Sequence, residues 1–126
     1  MEAGLKYTSA TSVNSTNTAA AVGSGNLEVF ATPAMIALME NAAMLAVANK
    51  LPEGSTTVGT LMNVAHVRAT PVGSEVTAIA ELQEVDGRKL IFHVSASDEK
   101  GLIGEGIHER AIVDIARFLD KINRVG

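Results

Sequence analysis

The sequence predicts an α+β fold in which an antiparallel β-sheet wraps around one long central helix. Three observations point there. The run PAMIALMENAAMLAV, residues 33–47, is apolar on every face except for Glu40, its only charged residue. Two later segments alternate apolar and polar residues with a period of two, the signature of half-buried strands. Tight turns join those segments to their neighbours, so successive strands form an antiparallel meander.

Along the chain, residues 5–13 carry a weak strand signal, and Gly23-Ser24-Gly25-Asn26 reads as a turn. Thr32 followed by Pro33 starts the helix: a hydroxyl cap, then a proline whose missing N–H costs nothing at that position. The helix is expected over residues 33–49 and ends at Pro52-Glu53-Gly54. Residues 57–69 are rich in β-branched side chains and read as a long strand. After a turn at 70–74, residues 75–85 place Val76, Ala78, Ala80 and Leu82 on one face. Asp86-Gly87 is a two-residue hairpin signal. The next strand puts Leu90, Phe92, Val94 and Ala96 together. A last long strand spans 102–115, and 117–124 read as a short terminal helix. No repeat or linker divides residues 1–126, which are read as one domain.

Composition limits the function classes. With 126 residues the chain can bury a substantial core, and 47% of them are hydrophobic. A net charge of −4 offers no basic stripe for nucleic-acid phosphates. There is no cysteine, which removes disulfides, thiolate metal sites and a cysteine nucleophile. Glu40 and Asn41 interrupt the longest apolar stretch, so no membrane span is expected. The first residues, MEAGLKYTSATSV, lack the pattern of a secretory signal, and a cytoplasmic protein is the expectation.

Four residues stand out for chemistry: Thr32, Glu40, His66 and Arg110. A helix apolar all round is expected to be buried, and an acid buried in it must be paired, shifted in pKa or given chemistry. Glu40 therefore reads either as a structural ion-pair partner or as a functional acid. Thr32 lies where helix N–H groups polarise a carbonyl oxygen, although on local sequence the cap is the favoured reading. His66 shares a strand face with Val64 and Met62; a half-buried histidine and a proton-transfer group are both open readings. Arg110 is by default a strand charge or a partner for an acid. His108 and Glu109 point to opposite strand faces and make no metal pair. His66, His93 and His108 lack ligand spacing, so no metal is assigned. Gly101, Gly104 and Gly106 open no helix, so no phosphate loop is read there. Met35, Met39 and Met44 read as core.

Taken together, Val29-Phe30-Ala31-Thr32-Pro33, the helix with Glu40, Gly59-Thr60 and Val64-Ala65-His66 resemble the hot-dog-fold thioesterases of the fluoroacetyl-CoA thioesterase-like branch. The resemblance continues through Ala69-Thr70-Pro71, Val76-Thr77-Ala78 and Glu84-Val85-Asp86-Gly87-Arg88 to Gly106-Ile107-His108-Glu109-Arg110-Ala111, over residues 28–118. It implies the hot-dog fold, a homodimer or higher oligomer, and hydrolysis of a small acyl-CoA near the subunit interface. It places the family's catalytic threonine, glutamate and histidine on Thr32, Glu40 and His66. Gly59 matches a glycine of the acyl pocket and Arg110 an arginine of the final strand motif. CoA enters as part of the substrate, and no separate cofactor, nucleic acid or membrane is implied. The competing class is a noncatalytic acyl-CoA or small-ligand binding protein of the same fold; a hydratase is disfavoured because its Asp/His helix-loop motif is absent. One departure concerns the lid, which is aromatic in the fluoroacetyl-specific enzyme. Here Val22-Gly23-Ser24-Gly25-Asn26 has no aromatic residue, so fluoroacetyl selectivity is not implied.

Overall fold

A computed structural model describes residues 1–124. Five strands, β1 (Lys6–Ser12), β2 (Ser55–His66), β3 (Glu75–Asp86), β4 (Lys89–Asp98) and β5 (Gly101–Asp114), form one antiparallel sheet in the order β1-β3-β4-β5-β2. Three α-helices accompany it: α1 (Ala19–Val22), α2 (Thr32–Val47) and α3 (Ile115–Asn123), with a 3₁₀ turn at Ala48–Lys50 after α2. No helix among the described residues is long and apolar enough to cross a membrane.

The core sits between α2 and the inner sheet face. Met35, Met39, Ala42, Ala43 and Val47 of α2 are fully buried. They meet Val76, Ala78, Ala80 and Leu82 of β3 and Leu90, Phe92, Val94 and Ala96 of β4, the two alternating sets the sequence predicts. The cross-strand register pairs these sets directly, as in Ala80 opposite Val94 and Leu82 opposite Phe92. Burying such side chains supplies the main driving force for wrapping the sheet around the helix.

Several boundaries differ from expectation, each for a local reason. The hairpin between β3 and β4 closes with Asp86 opposite Lys89, so its central residues are Gly87 and Arg88. Gly87 has φ 61° at the first central position, where a II′ turn requires glycine. Strand β2 starts at Ser55 and stops at His66, because the next two N–H groups, of Val67 and Arg68, both turn to the Ile103 carbonyl. Helix α3 starts at Ile115, where the Asp114 carboxylate accepts from Arg117 N at 3.0 Å. Helix α1, absent from the sequence reading, is held by the Thr18 hydroxyl and ends on Gly23 at φ 79°.

Two corrections bear on the site. Thr32 is not the cap of α2. Ala31 occupies that position without a side-chain hydrogen bond, and Thr32 is the first helical residue. Nor does the chain bury α2 on all sides: Pro33, Ala37 and Asn41 are exposed, and the Glu40 side chain is 42% exposed. Apolarity all round predicts burial only if the chain itself covers every face, and here one face is left open.

Strand β5 departs from apolar alternation on its inner side. A register shift between Ala96 and Ser97 leaves Ile103 unpaired, and beyond it Gly104, Gly106, His108 and Arg110 occupy alternate positions on the inner side. A Cβ on Gly104 would stand 2.7 Å from Met35 Sδ, so the absence of a side chain there lets the helix approach. The inner face of β5 is thus small near the start of α2 and polar farther along, opposite Glu40.

Candidate active site

The site has two parts, spaced along α2. At the helix start, Thr32 Oγ1 lies 2.7 Å from His66 Nδ1. The hydroxyl reaches the histidine because Ala31, rather than Thr32, fills the cap position. His66 is the last residue of β2, where the strand breaks off and brings the ring beside the first turn of α2. Its Nε2 is buried and has no hydrogen-bond partner among the described residues. Burial lowers the imidazole pKa below 6.5, with the Arg68 backbone acting in the opposite direction. The ring is therefore neutral at neutral pH and able to take up a proton.

Thr32 and His66 form one wall of a cleft of about 310 Å³, completed by Ser24, Phe30, Val67 and Arg68 among others. Arg68 is anchored as part of that wall: its Nη2 donates to Asp98 Oδ1 at 2.6 Å and to the Gly101 carbonyl at 2.9 Å. The Thr70 hydroxyl holds the other Asp98 oxygen at 2.8 Å. Among residues 22–26 none is aromatic. The aromatic ring that lines the cleft belongs to Phe30, which is 1% exposed.

Farther along α2, Glu40 Oε2 lies 3.7 Å from Arg110 Nη1. Arg110 is 6% exposed, and Thr57 holds it from β2: Nε donates to Thr57 Oγ1 at 2.8 Å and Nη2 to its carbonyl at 2.9 Å. Burial lowers the guanidinium pKa and Glu40 raises it; the group stays charged. Gly59 stands directly against the acid, since a Cβ there would lie 2.6 Å from Glu40 Oε2. It also precedes a bulge, with the β2–β5 register shifting between Gly59 and Leu61.

The structure thus brings Thr32 together with His66, and Glu40 together with Gly59 and Arg110. It does not join the two groups within one chain. Eight residues of helix separate Thr32 from Glu40, a rise of about 12 Å. The sequence reading missed His108, which is 1% exposed and touches Arg110, and Thr57, which holds the guanidinium. The signal for His108 was available: it lies two residues from Arg110, on the same strand face.

A long helix wrapped by a five-stranded antiparallel sheet is the architecture of the hot-dog thioesterases, and solved structures of that class match the chain. A point mutant of the fluoroacetyl-CoA-specific thioesterase FlK superposes with a TM-score of 0.90 at 38% identity, covering 97% of this chain and 95% of that one. A mutant of the same enzyme in complex with fluoroacetate and CoA gives a TM-score of 0.88 at 39% identity, over 94% and 99% of the two chains. A thioesterase superfamily member from Thermus thermophilus gives 0.90 at 26% identity, over 98% and 91%. In sequence, the fluoroacetyl-CoA thioesterase of Streptantibioticus cattleyicolor is 45% identical over 97 residues, 77% of this chain and 70% of that protein. The family model for the fluoroacetyl-CoA-specific thioesterase matches residues 13–116. The chain belongs to the fluoroacetyl-CoA-specific thioesterase family, and it is a thioester hydrolase.

The two lowered histidines predict how stability follows pH. His66 and His108 are both held below 6.5 by burial, whereas in the unfolded chain they titrate near that value. Between the folded values and 6.5 the unfolded state binds more protons, so stability falls as pH drops through this window. The melting temperature should decrease from pH 7.5 to pH 5. Combining His66→Gln with His108→Gln should flatten that slope, as measured by thermal denaturation across the range.

Proposed function

We propose that the protein hydrolyses short acyl-CoA thioesters to the acid and free CoA, working as a homodimer. The observation that carries this reading is the Thr32–His66 pair at 2.7 Å beside a small cleft, with a second histidine nitrogen left available. Thr32 and the N–H groups of the first turn of α2 orient and polarise the thioester carbonyl. Glu40 acts as nucleophile or as general base toward that carbonyl. His66 positions water or protonates the departing thiolate. Arg110 and Gly59 set the place of the Glu40 carboxylate.

Two features support a dimer. The Thr32–His66 and Glu40 groups lie about 12 Å apart along one helix, so a second copy can supply the complementary member of a shared site. Strand β2 is an edge of the sheet and exposes Leu61 (44%); Val67, just beyond it, is 63% exposed. An exposed edge of this kind is a template for pairing with another chain.

A cleft of about 310 Å³ is at the small end for ligand sites, which supports a short acyl group. Without an aromatic side chain at residues 22–26, acetyl-CoA and fluoroacetyl-CoA are expected to turn over with kcat/KM within about 10-fold of each other. The test is free-thiol release across acyl-CoAs of increasing chain length, with fluoroacetyl-CoA beside acetyl-CoA. Turnover should be highest for the shortest chains. Thermal stabilisation by CoA esters with no thiol released would instead identify a noncatalytic binding protein.

A further inference from the structure

Beneath Glu40, β5 carries a buried histidine that the reaction above does not use. His108 Nδ1 lies 2.7 Å from the Leu61 carbonyl, and its Nε2 lies 3.1 Å from Arg110 Nη1. The carbonyl can only accept and the guanidinium can only donate. The ring must therefore be neutral, with its proton on Nδ1 and a free lone pair on Nε2. Phe92 packs against it, ring centroids 6.2 Å apart and planes 28° from parallel.

Arg110 is otherwise fixed by Thr57, which takes Nε and Nη2. The remaining nitrogen, Nη1, is the one that faces Glu40, and it carries two hydrogens. Both lie in the guanidinium plane, and His108 Nε2 stands where it can accept one of them.

We propose that His108 is a positioning residue for thioester hydrolysis: as a neutral acceptor it binds one Nη1 hydrogen of Arg110 and so aims the other at the Glu40 carboxylate. The catalytic consequence rests on the thioesterase reading; the state of the ring does not. Protonated His108 would set a donor against a donor and turn Nη1 away. The groups facing the ring are Arg110 on its own strand, Glu40 from α2, the Leu61 carbonyl from β2 and the uncharged Phe92 from β4. Burial holds its pKa below 6.5, the Leu61 carbonyl raises it, Arg110 lowers it and Glu40 raises it, with the net shift downward.

The test uses the full chain and two variants. His108→Phe keeps a ring against Phe92 and removes both nitrogens. Its kcat for thiol release should fall by about 10-fold or more with KM changed by less than about 3-fold. His108→Gln offers a neutral oxygen near the Nε2 position and should recover most of that loss. If both variants keep wild-type kcat, whether or not they lose melting temperature, His108 does not position Arg110 for the reaction and the proposal is wrong. It is equally wrong if both are impaired alike, since the acceptor would then not matter. Nitrogen-15 spectra of the wild-type imidazoles give an arm independent of activity: the neutral Nδ1–H form is expected at pH 7, and a charged ring there overturns the proposal. A wild-type protein that released no thiol would sink the thioesterase reading and the catalytic role together, whereas the spectrum would separately decide the hydrogen-bond assignment.

Discussion

Glu40→Gln is expected to lower thiol release from a short acyl-CoA by about 10²–10⁴-fold, the range lost when a positioned acid–base group is removed. The substitution keeps the shape of the side chain and removes its charge and basicity. It should leave the fold intact, for two reasons. The Glu40 side chain is 42% exposed, and ion pairs open to solvent contribute little to stability. Arg110 also keeps its bonds to Thr57 and His108, so its buried charge is not stranded. A drop in turnover with an unchanged melting temperature would place Glu40 in the chemistry. Turnover within about 3-fold of wild type across short acyl-CoAs would remove it from the reaction.

Much of the fold was legible because the physics was local. Strands β3 and β4 announce their inner faces by alternation, and α2 announces itself by an apolar run behind a proline. Thr32, Glu40 and His66 could be singled out by residue type and position, but their grouping could not. The contact between Thr32 and His66 joins positions 34 residues apart, and it depends on where β2 stops. That end point is set by two N–H groups bending to Ile103, which no periodicity in residues 57–69 records.

Strand β5 shows the opposite failure. Its inner face carries Gly104, His108 and Arg110, so a search for apolar alternation finds nothing there. Polar groups on the inner side of a sheet are costly unless they bond to one another. Arg110, His108, Thr57 and the Leu61 carbonyl do bond to one another. The missing hydrophobic pattern was therefore itself the sign of a buried polar network. The exposure of Glu40 follows from a different cause. The run of α2 is apolar all round, yet the chain leaves the face with Pro33, Ala37 and Asn41 uncovered, and Glu40 lies at its edge.

Gly59→Ala tests whether the place of the Glu40 carboxylate matters as much as its presence. The added Cβ would stand 2.6 Å from Glu40 Oε2, 3.3 Å from His108 Cε1 and 3.5 Å from Arg110 Nη1. The first contact is too short to survive and falls on the free end of a flexible, half-exposed side chain; the second is tight and asks the buried His108 ring to give by a few tenths of an ångström. Gly59 is not among the glycines with positive φ, so alanine fits its backbone. The fold should therefore tolerate the methyl group while the carboxylate swings away from Arg110. Misplacing a reacting group by about 1 Å can cost on the order of 10²-fold, and kcat is expected to fall by about 10- to 100-fold with little change in melting temperature. The double variant with Glu40→Gln decides the cause. If the methyl group acts through the carboxylate, adding Gly59→Ala to Glu40→Gln should cost almost nothing further, because both changes remove the same interaction. Full additivity of the two losses would show that the methyl group acts elsewhere, on the His108 ring or on the acyl group, and that the close approach to Glu40 is incidental.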